Sequence, residues 1–294
     1  MKNPFKEKMP SMGRCKGIAK CPNLSVSPFF SFANTPGVPA LEDARGSVLL
    51  IGGDRGNGKT VYGHRLLHEY HAQGLTTVDL LHLAHVTTES PVRRHQVLCA
   101  LREEIDRFGP EVSQTDDGAW GERLCAILEQ AHGSLAVRLP SVEQKAGTGC
   151  EDIAREIIQY ATAADLSGNV LIYEYLTDLW PSEWRRLVEE IEKNHDVTVR
   201  ECELSELTGD DVWTYVQGVM ARFPHSEITL APEVPDSLRK ALDVLAVRRQ
   251  PSIQLKDMHG LMRTAFDGAI AQDCKEVSTF HVLSAAFSLR GAAA

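Results

Sequence analysis

The sequence predicts an α/β fold in which helices cover both faces of a parallel sheet, followed by a domain built of helices. Three observations support this prediction. Apolar segments of strand length alternate with segments of helix length from about residue 47 to residue 204, which is typical of parallel sheets. A glycine-rich loop joins the first strand to the first helix. From about residue 205 onward only helical periodicity continues.

Composition and charge limit the class of protein. The chain has 294 residues, of which 43% are hydrophobic, and a formal net charge of -9. It can therefore bury a large core, and as a whole it is a poor candidate for non-specific nucleic-acid binding. Its first 20 residues differ, because they carry six basic residues and one acidic residue. We expect residues 1–44 to form a flexible, basic arm, solvated or touching nucleic acid or an acidic partner.

The cysteines and the apolar segments bear on the compartment. The chain has seven cysteines, an odd number scattered along the sequence. This pattern is typical of reduced thiols rather than of a disulfide framework. The sequence shows neither a signal peptide nor an apolar run long enough to span a membrane. We therefore expect a cytoplasmic protein that has no membrane contact.

The first strand runs directly into residues 53–60, which read Gly-x-x-x-x-Gly-Lys-Thr and open an amphipathic helix. The glycines allow successive backbone N–H groups to point at one centre, and the helix start adds its positive dipole end. Lys59 supplies a mobile charge for the β and γ phosphates, and Thr60 places a hydroxyl where a magnesium ion would sit. This Walker A motif, or P-loop, predicts binding of ATP and Mg²⁺. The expected nucleotide contacts are Gly53, Asp54, Arg55, Gly56, Asn57, Gly58, Lys59, Thr60 and Val61.

The remaining elements of the core follow from apolar periodicity and turn residues. After the helix of the P-loop, further strands are expected at residues 77–86, 135–139, 169–175 and 197–204. Helices are expected from Ser90, where Pro91 takes the favoured first position, and at residues 119–131, from 151 and at 184–191. The fold class is thus a P-loop NTPase with a three-layer α/β/α arrangement.

The last third of the chain predicts an all-helical lid domain. Residues 208–211 form a capping box before the first helix, and Pro235 starts the second. A break at residues 248–251 precedes a long helix, and residues 277–278 lead into the last one. The predicted organisation is the arm at 1–44, a nucleotide-binding core at 45–206 and the lid at 207–294.

This organisation resembles the AAA+ ATPases and their STAND-type relatives. Their core likewise begins with a Walker A strand and is followed by a small helical domain. The lid is similar too, since Arg-Arg-Gln-Pro at residues 248–251, the long helix and residues 276–282 resemble motifs of that family. The resemblance covers about residues 45–290. It implies an ATP-driven switch or an oligomeric motor or regulator that works as a homo-oligomer or with a partner protein.

The acidic motif departs from the family. Its members place Asp-Glu at the end of the third core strand, one carboxylate for the Mg²⁺ shell and one to activate water. Composition points to the apolar run at residues 170–174, which ends in Glu174. Glu174 is therefore our candidate for the catalytic acid and, with Thr60, for the metal site. Tyr173 or Tyr175 stands where the second acid would be.

Counting strands points elsewhere. By order, residues 134–139 form the third strand, which leads to Glu143 and contains no Asp-Glu pair. The segment at 169–175 is then the fourth strand, whose tip usually carries a polar residue such as Thr177 or Asp178. Glu143 and Asp178 stay as alternates to Glu174. Either interpretation predicts weak ATP hydrolysis.

Arginines complete the expected site. AAA+ members that hydrolyse ATP at a subunit interface use an arginine of the neighbouring subunit. Arg185 and Arg186, which follow the fourth strand, are the candidates; surface pairing with Glu189 or Glu190 along the same helix is the alternative. On the lid, Arg248, Arg249 and Lys256 could also reach phosphate.

Three functions are compatible with these patterns. The first is an ATP-binding switch; GTP is less favoured because the guanine-reading Asn-Lys-x-Asp motif does not occur. The second is a P-loop kinase, which would need a basic substrate-binding insertion that residues 109–150 do not resemble. The third is a nucleotide-binding interaction module that does not hydrolyse ATP. A nucleic-acid role would have to run through the arm or an oligomeric pore.

Overall fold

The computed structural model describes residues 3–5, 37–53, 57–81, 83, 90–105, 120–140, 150–175, 181–205, 208–221, 226–246 and 255–292.

A parallel sheet forms the centre of the fold. Its strands are β1 Ser47–Gly52, β2 Thr76–Asp79, β3 Leu135–Arg138, β4 Val170–Glu174 and β5 Thr198–Glu203. Their spatial order is β2-β3-β4-β1-β5, and every pairing is parallel. The carboxyl end of β1 therefore lies between those of β4 and β5. The loop that follows β1 opens at this edge of the sheet.

Helices lie on both faces of the sheet, as the sequence predicts. They are α1 Leu41–Ala44, α2 Lys59–Ala72, α3 Ser90–Ile105, α4 Trp120–Glu129, α5 Cys150–Ser167 and α6 Pro181–His195. All six residues of β1 are buried, because alternate side chains point to opposite faces. Val48 and Leu50 pack in the apolar layer of α3 to α6. Leu49 and Ile51 pack in the layer that includes α1 and α2.

The second strand is shorter than predicted. The expected segment at residues 77–86 is a strand only as far as Asp79. The side chain of Asp79 accepts a hydrogen bond from the backbone N–H of Leu81 at 3.1 Å, and such a local bond favours a turn over continued pairing. Residues 84–86 lie outside the described residues.

Helices dominate the C-terminal region. They are α7 Gly209–Ala221, α8 Val234–Ala246, α9 Leu255–Ala271 and α10 Thr279–Ala292. The predicted capping box is confirmed: the backbone N–H and the hydroxyl of Thr208 each donate to Asp211 Oδ2 at 2.7 Å, and the N–H of Asp211 donates to Thr208 Oγ1 at 3.3 Å. A parallel pair of two-residue strands, β6 Thr229–Leu230 and β7 Glu276–Val277, adds to the predicted helices. Two residues are too few to produce an alternating pattern.

None of the helices in the described part of the chain is both long enough and apolar enough to cross a membrane.

Part of the segment predicted as a flexible arm packs on the C-terminal helices. The side-chain amide of Asn3 donates to the backbone carbonyl of Arg263 at 3.0 Å and to Asp267 Oδ1 at 2.8 Å. Phe5 is fully buried. Its ring lies against those of Tyr215, His259 and Phe266. Flexibility is therefore wrong for residues 3–5, because an aromatic side chain anchors them.

The end of the same segment is also ordered. The hydroxyl of Tyr62 donates to the carbonyl of Gly37 at 3.0 Å, and that of Tyr70 donates to the carbonyl of Pro39 at 3.1 Å. Burial raises the pKa of both tyrosines above its usual value, so both hydroxyls stay protonated and able to donate. Residues 37–44 are thus held against α2, whereas residues 6–36 lie outside the described residues.

We expect Phe5→Ala to lower the free energy of unfolding by about 3–5 kcal/mol, because it removes a fully buried ring from the apolar cluster of α7 to α10. Phe280→Ala is the matched control, since this ring is 62% exposed and its loss should cost less than about 0.5 kcal/mol. Urea unfolding followed by circular dichroism measures both. Equal stabilities of the two variants would contradict the anchoring role of Phe5.

Candidate nucleotide-binding site

The backbone of the P-loop has the conformation that its glycines permit. Gly53 has φ +144° and Gly58 has φ +95°, values that side chains disfavour. Gly58 is the residue before α2, which begins at Lys59. The first N–H groups of a helix have no carbonyl four residues earlier, so they are available to an anion at this end. Of the expected nucleotide contacts, Asp54, Arg55 and Gly56 lie outside the described residues.

Lys59 is turned back over the loop. Its ammonium group donates to the carbonyl oxygen of Gly53 at 2.5 Å. This contact joins the two ends of the loop and places a positive charge beside the first helical turn. An oxygen of a phosphate group could accept a hydrogen bond from the same ammonium group.

Asn57 offers a second sign of a ligand site. Its side chain is buried, with 2% of its surface exposed, and its Oδ1 atom has no hydrogen-bond partner among the described residues. Buried amides are nearly always bonded, and an unmet bond costs about 1–3 kcal/mol. The P-loop therefore fits an anionic ligand at Lys59 and at the helix start, whereas Asn57 Oδ1, an acceptor, would need a donor group on the ligand.

Thr60 and Glu174 lie together, although they are far apart in sequence. Glu174 is the last residue of β4, opposite Ile51 of β1. The Thr60 hydroxyl donates to Glu174 Oε2 at 3.2 Å. The two residues expected to share a metal ion are thus brought into contact by the pairing of β1 with β4.

Arg138, which the sequence did not single out as a site residue, binds the other oxygen of this carboxylate. Its guanidinium is fully buried. Nε donates to Glu174 Oε1 at 2.8 Å, and Nη2 contacts the same oxygen. Nη1 lies 3.6 Å from Asp79 Oδ2. Asp79, Arg138 and Glu174 end three neighbouring strands, β2, β3 and β4, and we call them the buried charge row.

Helix α2 covers the buried charge row with a small residue. A Cβ atom on Gly63 would lie 2.9 Å from Arg138 Nε and 3.0 Å from Glu174 Oε1, closer than real Cβ atoms come. The next residue, His64, is fully buried, and its Nδ1 lies 3.6 Å from Asp79 Oδ2. Thr60, Gly63 and His64 share one face of α2, because they are three and four residues apart.

Among the described residues at this edge, Glu174 is poorly suited to a magnesium ion. Both of its oxygens are engaged, one by Arg138 and the other by Thr60. The positive charge of the guanidinium would repel a divalent cation that approached this carboxylate. The structure brings Thr60 and Glu174 together, and a metal site at these two residues stays a prediction.

The strand order explains the irregular acidic motif. The third strand along the chain, β3, ends in Arg138. In the sheet, β4 lies between β3 and β1. Glu174 ends the fourth strand, whereas the alternates Glu143 and Asp178 lie outside the described residues. The signal that could have found Arg138 is a charged residue inside an otherwise apolar strand. Asp79 carries the same signal in β2.

Tyrosines occupy the place of the missing second acid. Tyr173 is buried in the apolar layer of α3 to α6. Tyr175 lies over the end of β1, where a Cβ atom on Gly52 would be 2.5 Å from its hydroxyl oxygen. Position 52 therefore has no room for a larger side chain beside the ring of Tyr175.

The predicted arginine finger has a different environment. Arg186 is 78% exposed, and its Nε lies 3.5 Å from Glu190 Oε1 on the same helix. This is the surface pair that the sequence offered as the alternative. The side chains of Arg185 and Lys256, together with residues 248–249, lie outside the described part.

We expect Gly63→Ala to cost about 1–3 kcal/mol of stability, because its methyl group overlaps the Arg138–Glu174 contact. Gly260→Ala is the control: it is also helical, and nothing lies within 4 Å of its added Cβ. That variant should be neutral or gain up to about 1 kcal/mol. Thermal unfolding compares them, and a Gly63→Ala protein as stable as the control would contradict the close packing.

We expect Arg138→Met to lower the free energy of unfolding by about 3–5 kcal/mol, because it leaves Glu174 buried and unpaired. The double variant Arg138→Met/Glu174→Gln removes both charges, so it should recover a large part of that loss. Urea unfolding of both variants gives the comparison. A double variant no more stable than the single one would show that the pair contributes through packing alone.

Sequence comparison with protein-family models finds no match, and comparison with curated proteins finds none either. Similar folds occur among solved structures. The Aeropyrum pernix ORC2 protein, in ADPNP-ADP complexes, matches with TM-score 0.52 and 14% identity over 82% of this chain and 61% of that chain. Drosophila ORC bound to DNA matches with TM-score 0.51 and 14% identity over 90% of this chain and 60% of that chain.

The chain thus spans about three fifths of the length of these AAA+ proteins, 61% and 60%. At 14% identity, the likeness concerns the fold. The parallel sheet in the order β2-β3-β4-β1-β5 and the helical C-terminal region agree with it. The chain therefore has the α/β P-loop fold of the AAA+ ATPases, with a helical domain after the core.

Proposed function

We propose that this chain binds ATP in the loop after β1 and acts as a nucleotide-dependent switch. The observation that carries the proposal is the start of α2. There, the left-handed Gly58 precedes the first N–H groups of the helix, and the ammonium group of Lys59 lies beside them. These groups supply donors of the kind that a chain of phosphates requires.

Shared packing of α2 and the C-terminal helices supports the switch. Val61, the residue after Thr60, is buried in the same apolar cluster as residues of α7 to α10. A ligand that moves the first turn of α2 must therefore alter the packing of Val61 against the C-terminal helices. If the C-terminal helices adopt two arrangements that differ in affinity for ATP, binding of ATP shifts the equilibrium toward the arrangement that binds it more tightly.

A second candidate function is a nucleotide-binding interaction module that does not hydrolyse ATP. The contact between Arg138 and Glu174 favours it. A carboxylate whose two oxygens already accept hydrogen bonds, one from a guanidinium, is poorly placed to accept a proton from an attacking water. Slow hydrolysis with Glu174 as the acid and Arg185 or Arg186 as an interface arginine is the alternative.

The context of the switch is also proposed. We infer that the chain works in the cytoplasm as a homo-oligomer or with a partner protein. Drosophila ORC is bound to DNA in its structure, and the basic residues among positions 1–20 are where this chain could contact nucleic acid. The STAND-type relationship stays a prediction from the sequence.

We expect Lys59→Ala to weaken ATP binding by about 10- to 100-fold, which is the loss of one charge-assisted hydrogen bond to phosphate. Lys240→Ala is the control, because this lysine is exposed on α8. Calorimetry with the full chain measures both affinities. Equal affinities in the two variants, or no heat of binding in the unmodified chain, would overturn the proposal.

Phosphate release then separates the two candidate functions. A Glu174→Gln variant that binds ATP but loses the turnover of the unmodified chain would select the ATPase, and binding without turnover in the unmodified chain would select the interaction module.

A further inference from the structure

We propose that the P-loop takes its nucleotide without a divalent cation, because Arg138 occupies the carboxylate that, among the described residues, lies beside Thr60. This inference rests on the proposed binding of ATP. It concerns the form of the ligand, a metal-free nucleoside triphosphate, and therefore deepens that proposal.

The first step is the state of Glu174. A magnesium ion at a nucleotide is usually held by the phosphates, by waters and by one or two carboxylates. Glu174 is the carboxylate in contact with Thr60. Its Oε1 accepts from Arg138 Nε at 2.8 Å, and its Oε2 accepts from Thr60 at 3.2 Å. A cation would have to displace the guanidinium or share its carboxylate against the repulsion of like charges.

The second step is that Arg138 is held in place. Its side chain is fully buried, so leaving Glu174 would strand two charges away from water. Parallel pairing fixes its strand between β2 and β4, with Arg138 opposite both Asp79 and Ile172. Nη1 of the guanidinium lies 3.6 Å from Asp79 Oδ2, within ion-pair distance but too far for a hydrogen bond. Gly63 closes over the pair without room for a Cβ atom.

The third step concerns the charged groups that would surround the phosphates of a bound nucleotide. In place of a free carboxylate that attracts Mg²⁺, the loop faces Glu174 paired with Arg138; with Asp79 included, the buried charge row has one negative charge in excess. The positive charge comes from Lys59 and from the start of α2. These groups are part of the chain and do not dissociate. The phosphates are therefore balanced by protein groups, and metal-free ATP should bind at least as tightly as its magnesium complex.

The test is calorimetry of ATP binding to the full chain in excess Mg²⁺ and in excess EDTA. We expect binding in EDTA to be at least as tight as binding in excess Mg²⁺, because excess Mg²⁺ converts almost all ATP into its magnesium complex. An affinity more than about 10-fold weaker in EDTA would overturn the inference while leaving the proposed function in place. Absence of binding in both buffers would overturn the proposed function, and this inference with it.

Two variants test the role of Arg138. Arg138→Met leaves Glu174 as an unpaired carboxylate beside Thr60, so Mg²⁺ should now strengthen ATP binding by about 10-fold or more. Arg138→Met/Glu174→Gln also lacks the guanidinium but offers no carboxylate, so its response to Mg²⁺ should match that of the unmodified chain. An equal response in both variants would overturn the role of Arg138. Circular dichroism establishes whether each variant is folded. If Arg138→Met does not fold, the comparison of ATP binding in Mg²⁺ and in EDTA on the unmodified chain decides whether the inference holds.

Discussion

The ion pair between Arg138 and Glu174 is the contact on which the rest of the site depends. It joins the ends of β3 and β4, lies directly beside Thr60 and determines that position 63 of α2 must be glycine. Removing two charges from water is costly, and their attraction offsets that cost only when the geometry is good. Here, two nitrogens of one guanidinium meet one carboxylate oxygen. A contact that lies outside the P-loop thus fixes the surroundings of Thr60 at the start of α2.

The same helix links this site to the C-terminal helices. One face of α2 carries Thr60 and Gly63 against the buried charge row, whereas Val61 points into the apolar cluster of α7 to α10. Phe5 lies in that same cluster. The start of the chain, the P-loop and the C-terminal helices thus share one packed interior. Changes at the loop have a direct physical route to the helical domain, since close-packed groups do not deform continuously.

Much of the fold was predictable from local patterns. The five strands, the helix that begins at Lys59 and the capping box at Thr208 were all expected, because apolar periodicity and capping residues act over a few neighbouring positions. Predictions failed where distant contacts decide the outcome. Residues 3–5 are ordered by rings more than 200 positions away in the chain, and the end of β2 is set by the side chain of Asp79.

The sequence by itself determined the parallel sheet, the place of the phosphate-binding loop and the identity of its lysine and hydroxyl, because each depends on residues adjacent in the chain. It also indicated Glu174 as the acid that would meet Thr60. Only the tertiary structure decided what that carboxylate does. The order of the strands places β4 between β3 and β1, and this brings Arg138 to Glu174 across neighbouring strands. Contacts between strand ends depend on sheet order, which no local pattern of residues encodes.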